Sequence, residues 1–210
     1  MAVTSLQELY VQKLQMIYDA EQQTLEAFPR VIQMARNDDL RTGFEAHRQQ
    51  TEDQVRRLEK LFQAHGESPK RADCLSMRAL LQEAQQVLPS IQDDDTRDAF
   101  LIAAQQGVEH HEIADYGTAR TWARQLGFRD DARTLQEILR QEESTDQLLS
   151  DIAERMVNPV AASATSDVDV TPRARPGDRT AEAARSSSGG SSRKDSGSGA
   201  VSDAGLSDER

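Results

Sequence analysis

Residues 6–32, LQELYVQKLQMIYDAEQQTLEAFPRVI, decide the fold. Leu6, Tyr10, Leu14, Ile17, Leu25, Phe28 and Ile32 recur at steps of three and four, the spacing that lines one face of an α-helix. Glu21 falls at the centre of that stripe, among apolar neighbours. The spacing predicts a helix from about Thr4 to Arg36. Thr4-x-x-Gln7 and Ser5-x-x-Glu8 both fit a capping box at its start, and Pro29 removes one backbone donor and predicts a kink.

The same period repeats outward along the chain, and no alternating strand pattern competes with it. A second helix is expected from Asp39 to His65, with Asn37 or Asp38 as cap and Gly66 as stop. Glu67–Asp73, with Pro69, reads as a loop. A shorter helix from Leu75 to Leu88 ends at Pro89. Asp93, Asp94 and Asp95 suit a helix N-terminus, and the helix they open runs to Leu126, with Gly127 past its end. Asp130 is the expected cap of a last helix ending near Val157. His65, at a helix end, reads as a partner for the helix dipole. The fold class expected is all-α, a four-helix bundle. Its short extra helix lies in the second-to-third connection, where an up-down-down-up bundle of the ferritin-like type needs a long crossover.

Composition changes at residue 158. Residues 1–157 are rich in Leu, Ala, Gln, Glu and Arg, and residues 158–210 in Ser, Gly, Ala, Asp and Arg. The second segment cannot bury enough apolar surface to offset chain entropy, so it is expected as a disordered tail. Of the formal net charge of −11, about −10 lies on the helical part, which disfavours nucleic acid and anionic lipid as partners. No apolar run approaches the roughly 20 residues that span a bilayer. The first residues, MAVTSLQELY, lack the basic and apolar regions of a signal peptide. Cys74 is the single cysteine, and a cytoplasmic setting is expected.

Each long helix interrupts its apolar face near the middle with a potential ligand. The first does so with Glu21, and the second, through Leu40, Phe44, Leu58 and Leu61, with His47, Thr51 and Gln54. The third, through Ile102, Gln106, Ile113 and Tyr116, does so with Glu109 and Glu112. The fourth, through Leu135, Leu139, Leu149 and Ile152, does so with Glu142 and Asp146. Burying one ionised carboxylate costs several kcal/mol unless it is paired or metal-bound. Several converging on one core point to a cation pair, and oxygen ligands suit Fe, Mn or Mg. The opposing reading leaves each acidic head at the stripe's edge in solvent. Only one of His110 and His111 can share the face of Glu109, so the pair is expected behind the ligands or on the surface. Tyr18 and Tyr116 read as core packing, with hydroxyls in reach of a bridging ligand.

LYVQKLQMIYDAEQQTLEAFP, then H-x3-T-x2-QV-x-RLEKLF from His47, Cys74-x2-Met77, VEHHEIADYGTAR from Val108 and EESTDQLLSDIAE from Glu142 carry a resemblance. With them, Leu6 to Val157 resembles the YciE/YciF-type ferritin-like metal-binding family. The resemblance implies a rubrerythrin-related bundle, a homodimer, a dinuclear site and a link to bacterial stress responses. By position it implies Glu21, Glu109, Glu112, Glu142 and Asp146 as acidic ligands, with the second helix contributing from His47, Gln50 or Gln54. The chain departs from related proteins twice: it contains no Glu-x-x-His, and Gln50 stands where relatives often have Glu. Three functions follow as expectations: a redox di-metal protein that oxidises Fe(II) or consumes peroxide, a non-catalytic stress-associated scaffold, or an iron-storage cage. The last ranks lowest, because nothing in the sequence indicates a closed shell.

Overall fold

A computed structural model of the chain describes residues 2–163. The helices are α1 (Leu6–Met34), α2 (Asp38–Ala64), α3 (Leu75–Val87), α4 (Asp94–Gln125), α5 (Arg129–Ile152) and α6 (Asn158–Ser163). A single 3-10 turn, Leu88–Ser90, follows α3, and a widened π-type turn, Ala153–Val157, joins α5 to α6. There is no strand among the described residues. The last helical stretch therefore continues six residues beyond the expected end at Val157. The disorder expected for the tail lies, from residue 164 onward, outside the described residues.

The termini are set by side chains. Ser5 caps α1 by accepting from the Glu8 N–H at 3.2 Å, while Glu8 accepts from the Thr4 N–H at 2.7 Å, so the second of the two possible capping registers is used. α1 runs unbroken through Pro29. Asn37 caps α2 and Asp93 caps α4, each by accepting a backbone N–H. Asp130 does not cap α5. Gly127, at φ +80°, reverses the chain so tightly that α5 has already begun at Arg129. Asp130 thus falls in the first turn and pairs with Arg133.

Contacts at the two ends fix the topology. Tyr10 near the start of α1 and His65 at the end of α2 both bond Asp131 in the first turn of α5. The backbone N–H groups of Arg36 and Asn37, between α1 and α2, donate to Asp98 near the start of α4. α2 and α4 therefore run in the same direction, and α1 and α5 in the opposite one. The connection carrying α3 must traverse the bundle's length, which is the up-down-down-up arrangement of ferritin-like folds. His65 is thus more than a dipole partner, because it ties α2 to α5.

The core has two apolar layers. One, at the Tyr10 end, contains Leu14, Ile17, Leu58, Phe62, Ala119, Leu135 and Ile138. The other contains Phe28, Leu40, Phe44, Leu101, Ile102, Leu149 and Ile152. Between them, on every long helix, the buried positions turn polar: Glu21 and Thr24, His47, Thr51 and Gln54, Gln105, Glu109 and Glu112, Glu142 and Thr145.

Candidate metal centre

The helical period that builds the two apolar layers also aims the polar layer between them inward. Glu21, His47, Glu109, Glu112 and Glu142 are each at most 2% exposed. Ligand atoms of His47, Glu109, Glu112 and Glu142 all lie within 4.8 Å of one another. Glu21 borders this group, close enough for its charge to act on His47, Glu112 and Glu142.

Each carboxylate is held by one oxygen. Tyr116 Oη donates to Glu21 Oε1 at 2.5 Å, and Gln105 Nε2 to Glu109 Oε1 at 2.7 Å. Thr24 Oγ1 donates to Glu112 Oε1 at 3.3 Å, and Gln54 Nε2 to Glu142 Oε1 at 2.5 Å. Oε2 of Glu21, Glu109 and Glu142, Oε1 of Gln54 and both ring nitrogens of His47 are buried with no hydrogen-bond partner. His47 Nε2 is 2.9 Å from Glu109 Oε1, in ion-pair range but off the hydrogen-bond direction. The His47 ring stands edge-on to Phe28, with centroids 5.3 Å apart.

The electrostatics match this shortage of donors. Burial pushes the Glu21 carboxyl up to about 7, against the Tyr116 hydrogen bond, which favours the charged form. Glu112 and Glu142 are raised well above the ordinary carboxylate range, first by burial and then by the charges around them, Glu21 foremost. Burial opposes a charged His47, but Glu109 and Glu21 outweigh it and raise the imidazole. Four carboxylates, each held by one oxygen and three of them with the other oxygen lacking a partner, and one imidazole form a donor set that fits hard or borderline metal ions.

The remaining expected residues fall elsewhere. Asp146 lies outside the group, at the bundle's edge, where it accepts from Gln106 at 3.1 Å. Four residues exceed a helical turn, and the buried line of α5 passes from Glu142 through Thr145 to Leu149 instead. Gln50 is half-buried behind His47, and its amide oxygen takes a long hydrogen bond from Thr145 at 3.4 Å. His110 is exposed, and His111 turns away towards Cys74. Tyr18 donates to Glu59, outside the group, whereas Tyr116 fixes a site carboxylate. Gln105 and Thr24, which hold Glu109 and Glu112, fall outside the stripes read from the sequence.

Residues 5–162 match the family model described as a domain of unknown function, DUF892. The chain is 37% identical over 159 residues to Protein YciF of Escherichia coli (strain K12), covering 75% of this chain and 96% of that protein. The crystal structure of the E. coli stress protein YciF superposes with a TM-score of 0.71 at 37% identity, covering 74% of this chain and 99% of that one. YcfI from Rhodopseudomonas palustris gives 0.69 at 36% identity, covering 70% and 94%. A Xanthomonas campestris pv. campestris protein, at 19% identity and a TM-score of 0.61 over 76% and 99%, shares the fold. With its crossover helix, its acidic central layer and these likenesses, the chain belongs to the YciE/YciF-type DUF892 family of ferritin-like stress proteins.

Proposed function

We propose that the central layer holds a pair of redox-active metal ions, iron or manganese, and that the protein acts in stress or oxidative defence. The observation that carries this reading is the set of buried donor atoms on Glu21, His47, Glu109 and Glu142 that lack a hydrogen-bond partner. Leaving each unmatched costs about 1–3 kcal/mol, and more for a charged group. Glu21, His47, Glu109, Glu112 and Glu142 would be the ligands, with Gln54 Oε1 in reach as a neutral one. Tyr116, Gln105, Thr24 and Gln54 orient the carboxylates by one oxygen each. The two apolar layers exclude bulk water above and below. When bound, the ions supply electron exchange with an oxidant. Mg is a weaker fit, because it seldom uses imidazole and retains its waters.

The same reading takes the protein as a cytoplasmic homodimer. Exposed Leu148, Met156 and Val160, along the last helical stretch, support a covered face there. No described helix is long and apolar enough to cross a membrane. The single imidazole in the central layer favours a second reading, a structural metal without turnover in a scaffold protein.

The test is elemental analysis of the full chain purified without chelator, then Fe(II) added in air with ferric absorbance followed. About two ions per chain and oxidation faster than in Glu142→Gln would support the redox site. Metal without oxidation selects the scaffold reading. Neither metal nor oxidation removes both. Sedimentation of the same preparation reads the dimer.

A further inference from the structure

A second group of ligand-type side chains lies on the flank of the bundle, where α3 packs against α1 and α4. Cys74, at the start of α3, is fully buried beside Ala20, Met77 and Val108. Its Sγ is 3.3 Å from His111 Nε2. Asp115, four residues further along α4, places Oδ2 3.7 Å from the same nitrogen. A ligand atom from each of the three lies within 4.8 Å of the other two. Asp115 is only 8% exposed. Its Oδ1 accepts from Lys13 at 2.8 Å, while Oδ2 is buried without a hydrogen-bond partner.

These separations suit one small ion. Zinc bonds of ~2.3 Å to sulfur and ~2.0–2.1 Å to nitrogen or oxygen, at tetrahedral angles, set S···N near ~3.6 Å and N···O near ~3.3 Å. The observed 3.3 and 3.7 Å depart from those values by a few tenths of an ångström. We propose that Cys74, His111 and Asp115 form a three-ligand site for a zinc-class divalent ion, distinct from the central carboxylate layer. The fourth position opens towards the exposed Ser76, whose Oγ is 3.1 Å from His111 Nε2 and 3.4 Å from Cys74 Sγ.

The donor set selects the ion. A thiolate rejects Mg, and the carboxylate argues against Cu(I), which takes soft sulfur ligands. Thiolate and carboxylate together match a dication. On binding, Cys74 releases its thiol proton to solvent and neutral His111 ligates through Nε2. The surroundings are already ordered for this. Asp19 Oδ2 accepts from the Cys74 N–H at 2.8 Å, and Arg71 and Gln23 hold that carboxylate in turn. Lys13 orients Asp115 by the oxygen that the ion does not need. Burial raises the Cys74 thiol, but its contacts with His111 and Ser76 outweigh burial and hold it below its ordinary value.

Titration of the chelator-stripped full chain with Co(II), under a non-thiol reductant, tests this. The chain has one cysteine, so a thiolate-to-cobalt charge-transfer band reports this site alone. The expected result is a band that rises to saturation as Co(II) is added, within the capacity of this site and the central layer together, and that excess Zn(II) removes. Changes behind the ligands of known sites already cost about 10–100-fold in affinity, so His111→Gln and Asp115→Asn should each weaken Co(II) by at least about tenfold. Glu142→Gln should leave the band intact. No thiolate band on the wild-type chain at saturating Co(II) overturns the proposal, whatever the variants do. A band indifferent to both His111→Gln and Asp115→Asn overturns it too, reducing Cys74 to a thiol that binds metal alone.

Discussion

Replacing Glu21 by Gln should stabilise the metal-free protein at alkaline pH and change little in acid. The free carboxyl ionises near 4.5, whereas in the bundle Glu21 holds its proton up to about 7. Between those values the folded chain binds more protons than the unfolded one, so stability falls as pH rises. The contribution is complete below about 4.5 and lost once pH passes about 7. At about 1.4 kcal/mol for each pH unit, ionising Glu21 inside the fold costs about 3 kcal/mol. Gln is neutral at every pH, keeps the volume, and still offers an oxygen to the Tyr116 hydroxyl. The variant's advantage should therefore grow from near zero at about pH 4 to about 3 kcal/mol at about pH 8. For a domain of this size that is on the order of 10 °C in melting temperature. Urea unfolding of both chelator-treated proteins across this range measures it. A variant no more stable than the parent in alkali, or an advantage that does not grow with pH, refutes the reasoning. Added Fe(II) or Mn(II) should reverse the order, raising the parent's melting temperature and leaving the variant's unchanged.

Tyr116→Phe removes the donor that pins Glu21. Metal affinity measured by competition should fall about 10–100-fold, with the helical circular dichroism signal unchanged. Asp98→Ala strips the acceptor of the Arg36 and Asn37 N–H groups, and urea unfolding should show a loss of about 3 kcal/mol, as expected for charge-assisted bonds to a buried group. Gly127→Ala meets no atom within 4 Å of the new Cβ, yet φ is +80°. Its cost is backbone strain alone, about 1 kcal/mol, measured by the same unfolding curves.

The fold was legible because its punctuation is local. Ser5, Asn37 and Asp93 cap helices through their own neighbours, and Gly66 and Gly127 end two of them at positive φ. Residues on those helices inherit their faces from the 3.6 period, which is why Glu21, His47, Gln54, Glu109, Glu112 and Glu142 were readable from the stripes. Asp146 shows where that reading fails. Steps of four and three leave the line through Glu142 on opposite sides, by about 40° and about 60°, and the packing against α2 and α4 takes the side of Thr145. The extension to Ser163 was hidden for another reason: the π-type turn at Ala153–Val157 shifts the helical phase, and the pattern breaks there.

The flank site was illegible because α4 is buried on more than one side. Its inner face meets α1 and α5, and α3 covers a second face, so Asp115 is as enclosed as a residue on the central stripe. A search for one apolar face assigns Asp115 to solvent, and Cys74 reaches it only through tertiary packing. Buried acids here are therefore of two kinds that sequence cannot separate. Asp19 and Asp98 are buried but supplied with donors: Arg71, Gln23 and the Cys74 N–H for one, two backbone N–H groups for the other. Burial alone would raise Asp19, yet its donors outweigh burial and hold it below the usual carboxylate range. Such groups tie loops to helices, and a metal has nothing to gain there. Glu21, Glu109, Glu142 and Asp115 are also buried, and each keeps an oxygen with no donor. The difference lies in the donors around the carboxylate, which only the folded chain assembles, and it is why we assign metal to these acids and structure to Asp19 and Asp98.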